Sequence, residues 1–220
     1  MSDRWATFDC YGTLIDWNGG IRTELARVFG EGEAGRLLAR YHELEPEIER
    51  EDPTRSYRVV LAEALRRLAA EEDVELSDED ALARSLPHWR PFPEVPAVLE
   101  ELRARGWRLG ILSNTDPDLL AASIERIGVP VDLRVVASEI GSYKPAHGHW
   151  EHFFAESGAE IGRHVHVAAS HFHDIVPASE LGLRSVWINR LGETEAELRP
   201  TRELRDLAQL PEVLDELVPA

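Results

Sequence analysis

The sequence predicts an α/β fold, a doubly wound parallel sheet with a block of helices inserted after its first strand. From residue 90 onward, short apolar segments alternate with helical segments through short connections, a pattern typical of parallel strands covered by helices. Between the first apolar segment and residue 89, helical spacing continues without a convincing strand. The chain is therefore expected to combine a sheet-containing core with a helical insertion.

The first strand is predicted at residues 5–8, where an apolar segment runs up to Asp9. Its composition suits burial on both faces, as in the centre of a parallel sheet. Gly12 follows and supplies a turn. The first strand therefore ends with a carboxylate at the edge of the sheet.

Four helices are predicted in the inserted block, each with helical spacing of apolar residues and several Glu–Arg pairs: residues 21–29, 35–49, 56–71 and 78–85. The acidic segment at residues 77–80 is typical of a helix N-terminus. A proline-rich segment at residues 90–96 marks the return to the sheet. We expect a helical cap domain at residues 17–89 and a core domain formed by residues 1–16 and 90–220.

The remaining strands are predicted at residues 107–112, 133–137, 164–169 and 184–188. The helices that alternate with them are predicted at residues 98–105, 119–127, 150–157 and 175–181. Residues 193–220 are expected to form a charged connection and a closing helix. In a doubly wound, Rossmann-like sheet the functional site lies off the carboxyl ends of the strands. The polar residues at or just after those ends are Asp9, Ser113, Asn114, Ser170 and Asp174.

Charge and composition argue against several classes of partner. The chain has 41 acidic and 24 basic residues, a net charge of −17 and a pI of about 4.9. Such a surface repels nucleic acid and anionic lipid. The N-terminal segment lacks the apolar run of a signal peptide, and no segment approaches the length of a membrane helix. One cysteine permits no intrachain disulfide. We expect a cytoplasmic protein that binds neither nucleic acid nor membrane.

Two adjacent residues, Asp9 and Cys10, are candidate nucleophiles. Neighbouring side chains at a strand end point to opposite faces, so Cys10 faces the core if Asp9 faces the site. Asp9 could form a covalent intermediate or simply cap the following turn. Lys144, the one lysine of the chain, could keep such a carboxylate ionised or be an ordinary exposed side chain. Asp174 could pair with Lys144 or orient water.

Histidines are concentrated in one region, since seven of the nine lie between His147 and His173. Two of them fall within a predicted strand, no cysteine accompanies them, and no HExxH spacing occurs. The sequence therefore does not favour a histidine metal site.

Four motifs, taken in order, resemble those of the haloacid dehalogenase superfamily: "FDCYGTLID" at 8–16, "ILSNT" at 111–115, "YKP" at 143–145 and "SHFHD" at 170–174. The predicted helical insertion is similar to the cap of that superfamily. The resemblance covers nearly the whole chain, and the ordered set of four motifs makes it specific. It implies a hydrolase with an aspartate nucleophile.

Two departures from the common motifs narrow the resemblance. Most members of the superfamily are magnesium phosphatases with a second aspartate where this sequence has Tyr11, and with an acid where it has Ser170. Magnesium depends on charged oxygen ligands. The departures therefore point to the L-2-haloacid dehalogenase branch, which uses no metal and no cofactor. The alternative is a phosphatase with magnesium weakly bound by Asp9 and Asp174.

The resemblance implies a reaction in two steps on short 2-haloalkanoic acids, haloacetates included. Asp9 would displace the halide to give an aspartyl ester, which water would hydrolyse at the aspartate carbonyl. Lys144 would keep Asp9 ionised, and Asp174 would position Lys144 and orient or activate the water. Thr13 would form a hydrogen bond near Asp9.

The same resemblance implies residues that bind the substrate and the halide. Arg40 and Asn114 would hold the departing halide, and Ser113 with backbone amides would hold the substrate carboxylate. Tyr11 and Ser170 complete the set on the core side.

Two further binding candidates differ from the usual residues of the branch. Trp150 stands where tyrosine is usual, and His171 stands where asparagine is usual. Both changes could shrink the pocket toward haloacetates, and His171 could donate to a small halide such as fluoride. We expect a small haloacid as the partner, and a homodimer is compatible with the sequence.

Overall fold

The computed structural model describes residues 3–52, 55–194 and 198–220. Within these ranges six strands form one parallel sheet with the order β3-β2-β1-β4-β5-β6. The strands are β1 (Arg4–Phe8), β2 (Trp107–Ser113), β3 (Leu133–Val136), β4 (His164–Ala168), β5 (Arg184–Ile188) and β6 (Arg202–Leu204). The predicted doubly wound α/β fold is confirmed.

The central strands β1 and β4 are buried on both faces, and their buried residues include the polar Thr7, His164 and His166. Every residue of β1 and of β4 is buried, as expected for strands covered by helices on both sides. Strand β6 was missed by the sequence analysis, since this short edge strand has two exposed residues among its three and no apolar run.

Helices cover the sheet and fill the insertion. Their bounds are α1 (Trp17–Phe29), α2 (Ala34–Glu51), α3 (Tyr57–Glu71), α4 (Ala81–Ser85), α5 (Val95–Ala104), α6 (Pro117–Ile127), α7 (Ala137–Ile140), α8 (Gly148–Ser157), α9 (Val176–Glu180) and α10 (Leu210–Leu217). A π-helical turn at His171–Ile175 joins β4 to α9. None of the described helices is both long and apolar enough to cross a membrane.

The first four helices lie between β1 and β2, where the sequence predicts a cap. The chain leaves and re-enters the core at adjacent points, because Asp16 N donates to Arg90 O at 2.8 Å and Phe92 N donates to Leu14 O at 3.0 Å. Residues 53 and 54 of the predicted segment lie outside the described residues. The division into separate cap and core domains stays a prediction.

The register of the sheet brings the carboxyl ends of its central strands to one level. Phe8, the last residue of β1, lies beside Ile111 of β2 and Val167 of β4. Side chains that follow these three positions therefore meet at the same edge of the sheet.

Candidate active site

Lys144 joins the ends of two strands through its ammonium group. Its Nζ donates to Asp9 Oδ1 at 2.9 Å, to Asp174 Oδ1 at 2.7 Å and to the carbonyl oxygen of Leu112 at 2.9 Å. The side chain is 2 % exposed, and these three contacts use all three of its donors. The predicted Asp9, Lys144 and Asp174 are therefore brought together in one buried cluster.

The second oxygen of Asp9 is held by Thr13. Thr13 Oγ1 donates to Asp9 Oδ2 at 2.8 Å and accepts from the amide of Ala169 at 2.8 Å. The hydroxyl thereby links the turn after β1 to the end of β4. Both carboxylate oxygens of Asp9 are therefore held by hydrogen bonds, one from Lys144 and one from Thr13.

Cys10 points away from this cluster into the hydrophobic core, where it is fully buried. Burial, together with the nearby charge of Asp9, raises the pKa of its thiol well above the ordinary value. A neutral, enclosed thiol is a poor nucleophile. This placement agrees with the expectation that Cys10 is a packing residue.

Opposing effects set the ionisation of the cluster. Burial raises the pKa of Asp9 and Lys144 lowers it, with a net upward shift from the ordinary value. Burial also acts upward on Asp174, but Lys144 and His166 outweigh it and hold its pKa well below the usual range. For Lys144, burial lowers the pKa, whereas Asp174 and Asp9 raise it, and the net shift is upward. Lys144 therefore stays an ammonium between two carboxylates.

Asn114 clamps the loop that carries Lys144. Its Nδ2 donates to the carbonyl oxygen of Lys144 at 2.9 Å, and its Oδ1 accepts from the amide of Lys144 at 2.7 Å. Asn114, which was predicted to bind the halide, thus forms two hydrogen bonds with the backbone of Lys144. It fixes the point from which the lysine side chain reaches Asp9.

A cavity of about 360 Å³ opens above the cluster, and we call it the Asp9 cavity. Its lining includes seven of the predicted site residues: Asp9, Tyr11, Ser113, Asn114, Lys144, Ser170 and Asp174. Ser113 Oγ and Asp174 Oδ2 are buried and have no hydrogen-bond partner among the described residues. Both are therefore polar groups that a bound molecule or water could satisfy. A cavity of about 700 Å³ beside α1 contains none of these residues.

Tyr11 occupies the position at which a second carboxylate would stand in the first motif. Its hydroxyl is 3.1 Å from Ser123 Oγ on α6, and its ring packs on those of Tyr57 and Trp89. Burial raises the pKa of Tyr11 far above the ordinary value. The side chain is therefore a neutral wall that carries no charge into the Asp9 cavity.

The inserted helices contribute a polar wall that the sequence analysis missed. His42, Glu45 and Glu49 line the Asp9 cavity from α2 and Tyr57 from α3, and His173 and Glu193 line it from the core. His42, Glu45 and Glu49 recur at helical spacing. That polar stripe, beside the apolar stripe of the same helix, is the signal that could have found them.

Two glutamates of this wall are placed where ionisation is unfavourable. Glu45 Oε1 accepts from Tyr57 at 2.7 Å and from Tyr41 at 3.1 Å. Burial raises the pKa of Glu45 to about 7 despite these bonds. Burial, with the charge of Glu45, raises the pKa of Glu49 to about 9.

Arg40 is not brought to the Asp9 cavity. Its guanidinium lies at the surface, where it forms ion pairs of 2.7 Å with Glu43 and with Glu71 of α3. The side chain projects away from the side of α2 that carries Glu45, because five positions at 3.6 residues per turn place the two about 140° apart around the helix axis. The predicted halide contact is corrected accordingly.

Neither Trp150 nor His171 lines the Asp9 cavity, although His171 lines an adjoining cavity that shares Ser170 and His173 with it. Trp150 is fully buried in α8 and packs edge-on against His166, with ring centroids 5.2 Å apart. His171 Nε2 donates to the carbonyl oxygen of Leu198 at 2.8 Å, and its ring packs on Trp187. The π-helical turn directs His173, two residues later, into the Asp9 cavity instead. The predicted pocket contacts of Trp150 and His171 are corrected accordingly.

The donor set around Asp9 does not fit a resident magnesium ion. Among residues 3–52, 55–194 and 198–220, no group of three or more His, Cys, Asp or Glu side chains is arranged to hold a metal. Lys144 stands between Asp9 and Asp174, and its ammonium pairs with Oδ1 of each carboxylate.

Comparisons with known proteins identify relatives of the chain and structures with the same fold. A model of the haloacid dehalogenase-like hydrolase family matches residues 4–182. The chain is 28% identical over 201 residues to the (S)-2-haloacid dehalogenase of Pseudomonas sp. (strain YL), covering 88% of this chain and 86% of that one. It is 28% identical over 208 residues to haloacetate dehalogenase H-2 of Moraxella sp. (strain B), covering 88% and 89%. The crystal structure of the L-2-haloacid dehalogenase RSc1362 superposes with a TM-score of 0.87 at 24% identity, covering 98% of this chain and 100% of that one.

Proposed function

The chain belongs to the haloacid dehalogenase-like hydrolase family, and we propose that within this family it hydrolyses the carbon–halide bond of short 2-haloalkanoic acids, haloacetates included. The observation that carries the proposal is the bridge from Lys144 to both Asp9 and Asp174, in a cavity where Tyr11 replaces a second carboxylate. The dehalogenase relatives support the same substrate class.

In the first step, Asp9 is the nucleophile. A carboxylate oxygen attacks the carbon that bears the halide, the C–O bond forms, and the halide departs with the electrons of the C–halide bond. Lys144 and Thr13 hold the two oxygens of Asp9 in fixed positions. Fixed geometry of this kind supplies much of the acceleration of a displacement reaction.

The second step is hydrolysis of the ester on Asp9. Water adds to the carbonyl carbon of Asp9 and gives a proton to Asp174, whose Oδ2 has no partner among the described residues. The bond from that carbon to the substrate oxygen then breaks, and the departing oxygen takes the proton. The 2-hydroxy acid leaves, and Asp9 loses a proton to return to its carboxylate form. The balance is haloacid plus water to hydroxy acid, halide and one proton.

Binding of the substrate carboxylate is assigned to Ser113. Its buried Oγ lines the Asp9 cavity and lacks a partner among the described residues. Lys144 is the single lysine or arginine in the lining, and its donors are occupied. We therefore propose neutral donors for the carboxylate, and the proposal includes no part for Arg40 and no metal or other cofactor.

The test is halide release from a panel of 2-haloacids and haloacetates in the presence of EDTA. We expect release by the unmodified protein with EDTA present. Asp9→Asn is expected to lower the rate on the order of a thousandfold or more, because the nucleophile is lost. Intact-protein mass confirms that the asparagine has not been deamidated.

Cys10→Ala is the matched control, because it removes the neighbouring candidate nucleophile from the core side. It should retain halide release. In parallel, generic phosphate esters are offered with magnesium. Phosphate release that requires magnesium, with no halide released from any haloacid, would overturn the proposal in favour of the phosphatase alternative.

A further inference from the structure

A chain of buried polar side chains extends from Asp174 into the sheet, away from the Asp9 cavity. His166 Nε2 lies 2.9 Å from Asp174 Oδ1, and His166 Nδ1 lies 2.9 Å from Thr7 Oγ1. Thr7 Oγ1 in turn lies 2.7 Å from His164 Nε2. Thr7, His164 and His166 all have zero exposure. Three polar side chains are thus buried inside the sheet beneath the site.

The backbone register sets these contacts. His166 on β4 lies directly beside Thr7 on β1, and His164 lies two residues earlier on the same face of β4. Trp150 packs edge-on against the His166 ring from α8. The imidazole is therefore held by two strands and a helix.

With one hydrogen on each imidazole, the acceptors and donors allow one consistent arrangement. Asp174 is ionised and accepts only, so His166 Nε2 carries the hydrogen and His166 Nδ1 accepts from the Thr7 hydroxyl. Thr7 Oγ1 then accepts from His164 Nε2. This leaves His164 Nδ1 without a hydrogen, and that atom has no hydrogen-bond partner among the described residues. Burial lowers the pKa of His164 to about 3, so its ring is neutral.

Among the described residues, hydrogen bonds therefore hold only one of the two carboxylate oxygens of Asp174. Oδ1 accepts from both Lys144 and His166, whereas Oδ2 is buried and unpartnered in the described structure. The bond from His166 fixes rotation of the carboxylate about its last side-chain bond. Lys144 alone restricts this rotation less, because a single donor on Oδ1 still allows the carboxylate to turn about that hydrogen bond.

We propose that His166, set in place by Thr7 and His164, is a positioning residue for ester hydrolysis that directs Asp174 Oδ2 toward the attacking water. The inference rests on the proposed function, since it concerns the second step of that reaction. The first step needs Asp9 and Lys144 and does not need a particular orientation of Asp174 Oδ2. Loss of the histidine contact should therefore slow hydrolysis of the ester more than its formation.

Two matched pairs of variants test this separation. Thr7→Val has the shape of threonine without its hydroxyl, and Thr7→Ser retains the hydroxyl. His166→Phe removes the donor to Asp174, and His166→Gln retains an N–H group near the position of Nε2. Thermal unfolding of each variant establishes that it is folded before its kinetics are compared.

The readout is rapid-mixing measurement of halide release together with intact-protein mass. For Thr7→Val and His166→Phe, we expect a burst of about one halide per chain. Turnover then slows on the order of 10- to 100-fold, as misplacement of a catalytic group would cause. The mass of the aspartyl ester should accumulate. Thr7→Ser and His166→Gln should recover most of the turnover and show no accumulated ester.

Nitrogen NMR of the histidine rings gives a readout independent of turnover. The unmodified protein should show hydrogen on Nε2 of both His164 and His166, and Thr7→Val should perturb both rings. Hydrogen on Nδ1 of His166 with none on Nε2 would overturn the inference, because His166 could then not donate to Asp174. Equal slowing of the halide burst and of turnover in Thr7→Val would also overturn it. If the unmodified protein released no halide at all, the proposed function itself would have failed.

Discussion

Asp9 is held on both carboxylate oxygens before any substrate binds, by Lys144 on one and Thr13 on the other. Burial works against ionisation of this residue, and the two hydrogen bonds work in its favour. Asp174 receives a stronger net stabilisation of its charge, because His166 donates to it as well. The two carboxylates therefore differ in environment, as their different parts in the proposed reaction require.

Removal of the Thr13 hydroxyl tests this balance at a single oxygen. Thr13→Val should raise the pKa of Asp9 further, because the hydroxyl is one of the groups that lower it. Since the nucleophile must be ionised, halide release falls as the pH falls through that pKa. The acid limb of the pH profile should therefore move to higher pH in Thr13→Val and stay in place in Thr13→Ser.

The same substitution carries a stability cost. The amide of Ala169 donates to Thr13 Oγ1, so Thr13→Val leaves that donor unsatisfied, at a cost of about 1–3 kcal/mol. Urea unfolding measures the loss. An unchanged acid limb in Thr13→Val, with the expected loss of stability, would show that Thr13 supports the turn without tuning Asp9.

At the level of a single element, helix α2 has one apolar face that is buried and one polar face that lines the Asp9 cavity. Leu37, Tyr41, Leu44 and Ile48 are buried, whereas Glu45 and Glu49 line the Asp9 cavity. The raised pKa values of these glutamates mean that folding favours their protonated forms. Ionisation of either glutamate therefore lowers the free energy of unfolding of the protein.

The pH dependence of stability follows from these shifts. The pKa of Glu45 rises from 4.5 to about 7 and that of Glu49 from 4.5 to about 9. Between those values the folded protein binds more protons than the unfolded chain, so the free energy of unfolding falls as the pH rises. Glu45→Gln and Glu49→Gln should each flatten this fall, as measured by urea unfolding from pH 4.5 to 9.

The exposed Glu47 on the same helix provides the control. Glu47→Gln should leave the slope of stability against pH as it is in the unmodified protein. If the Glu45 and Glu49 variants gave the same slope as Glu47→Gln, the two glutamates would not be buried against the cavity in solution.

At the scale of the whole molecule, the sequence was most informative where local pattern and topology determine position. Asp9, Ser113 and Asp174 were found because parallel strands end at one edge of the sheet, and the structure places all three in the lining of one cavity. Lys144 was found because it is the one lysine in the chain. The five predicted strands, β1 to β5, and the order of the helices follow the same local patterns.

The sequence was least informative about the direction of side chains on helices and turns. Arg40 was assigned to the site by the family resemblance, but packing of α2 against α3 turns it toward Glu71. His171 and His173 differ by two positions, and the π-helical turn decides which one faces the cavity. The sequence analysis treated His166 only as a residue of a predicted strand. Its contact with Asp174 could not be predicted, because that contact depends on the register of two strands.

The charge of the molecule also bears on the choice of substrate. The net charge is −17, and Asp9, Asp174 and Glu193 line the cavity with Lys144 as its single lysine or arginine. Glu45 and Glu49 also line the cavity and add negative charge as the pH rises through their raised pKa values. A doubly charged phosphate ester meets more repulsion here than a singly charged haloacid. The electrostatics therefore support dehalogenation over phosphate transfer at this site.

The central claim, a covalent ester on Asp9, is tested most directly by a single turnover in water enriched in ¹⁸O. With enzyme in excess over a 2-haloacid, the account predicts that the label enters the carboxylate of Asp9, located by peptide mass spectrometry. The first hydroxy acid released should be unlabelled. Label in that hydroxy acid, with none in Asp9, would show direct attack of water on the substrate carbon and would contradict the account.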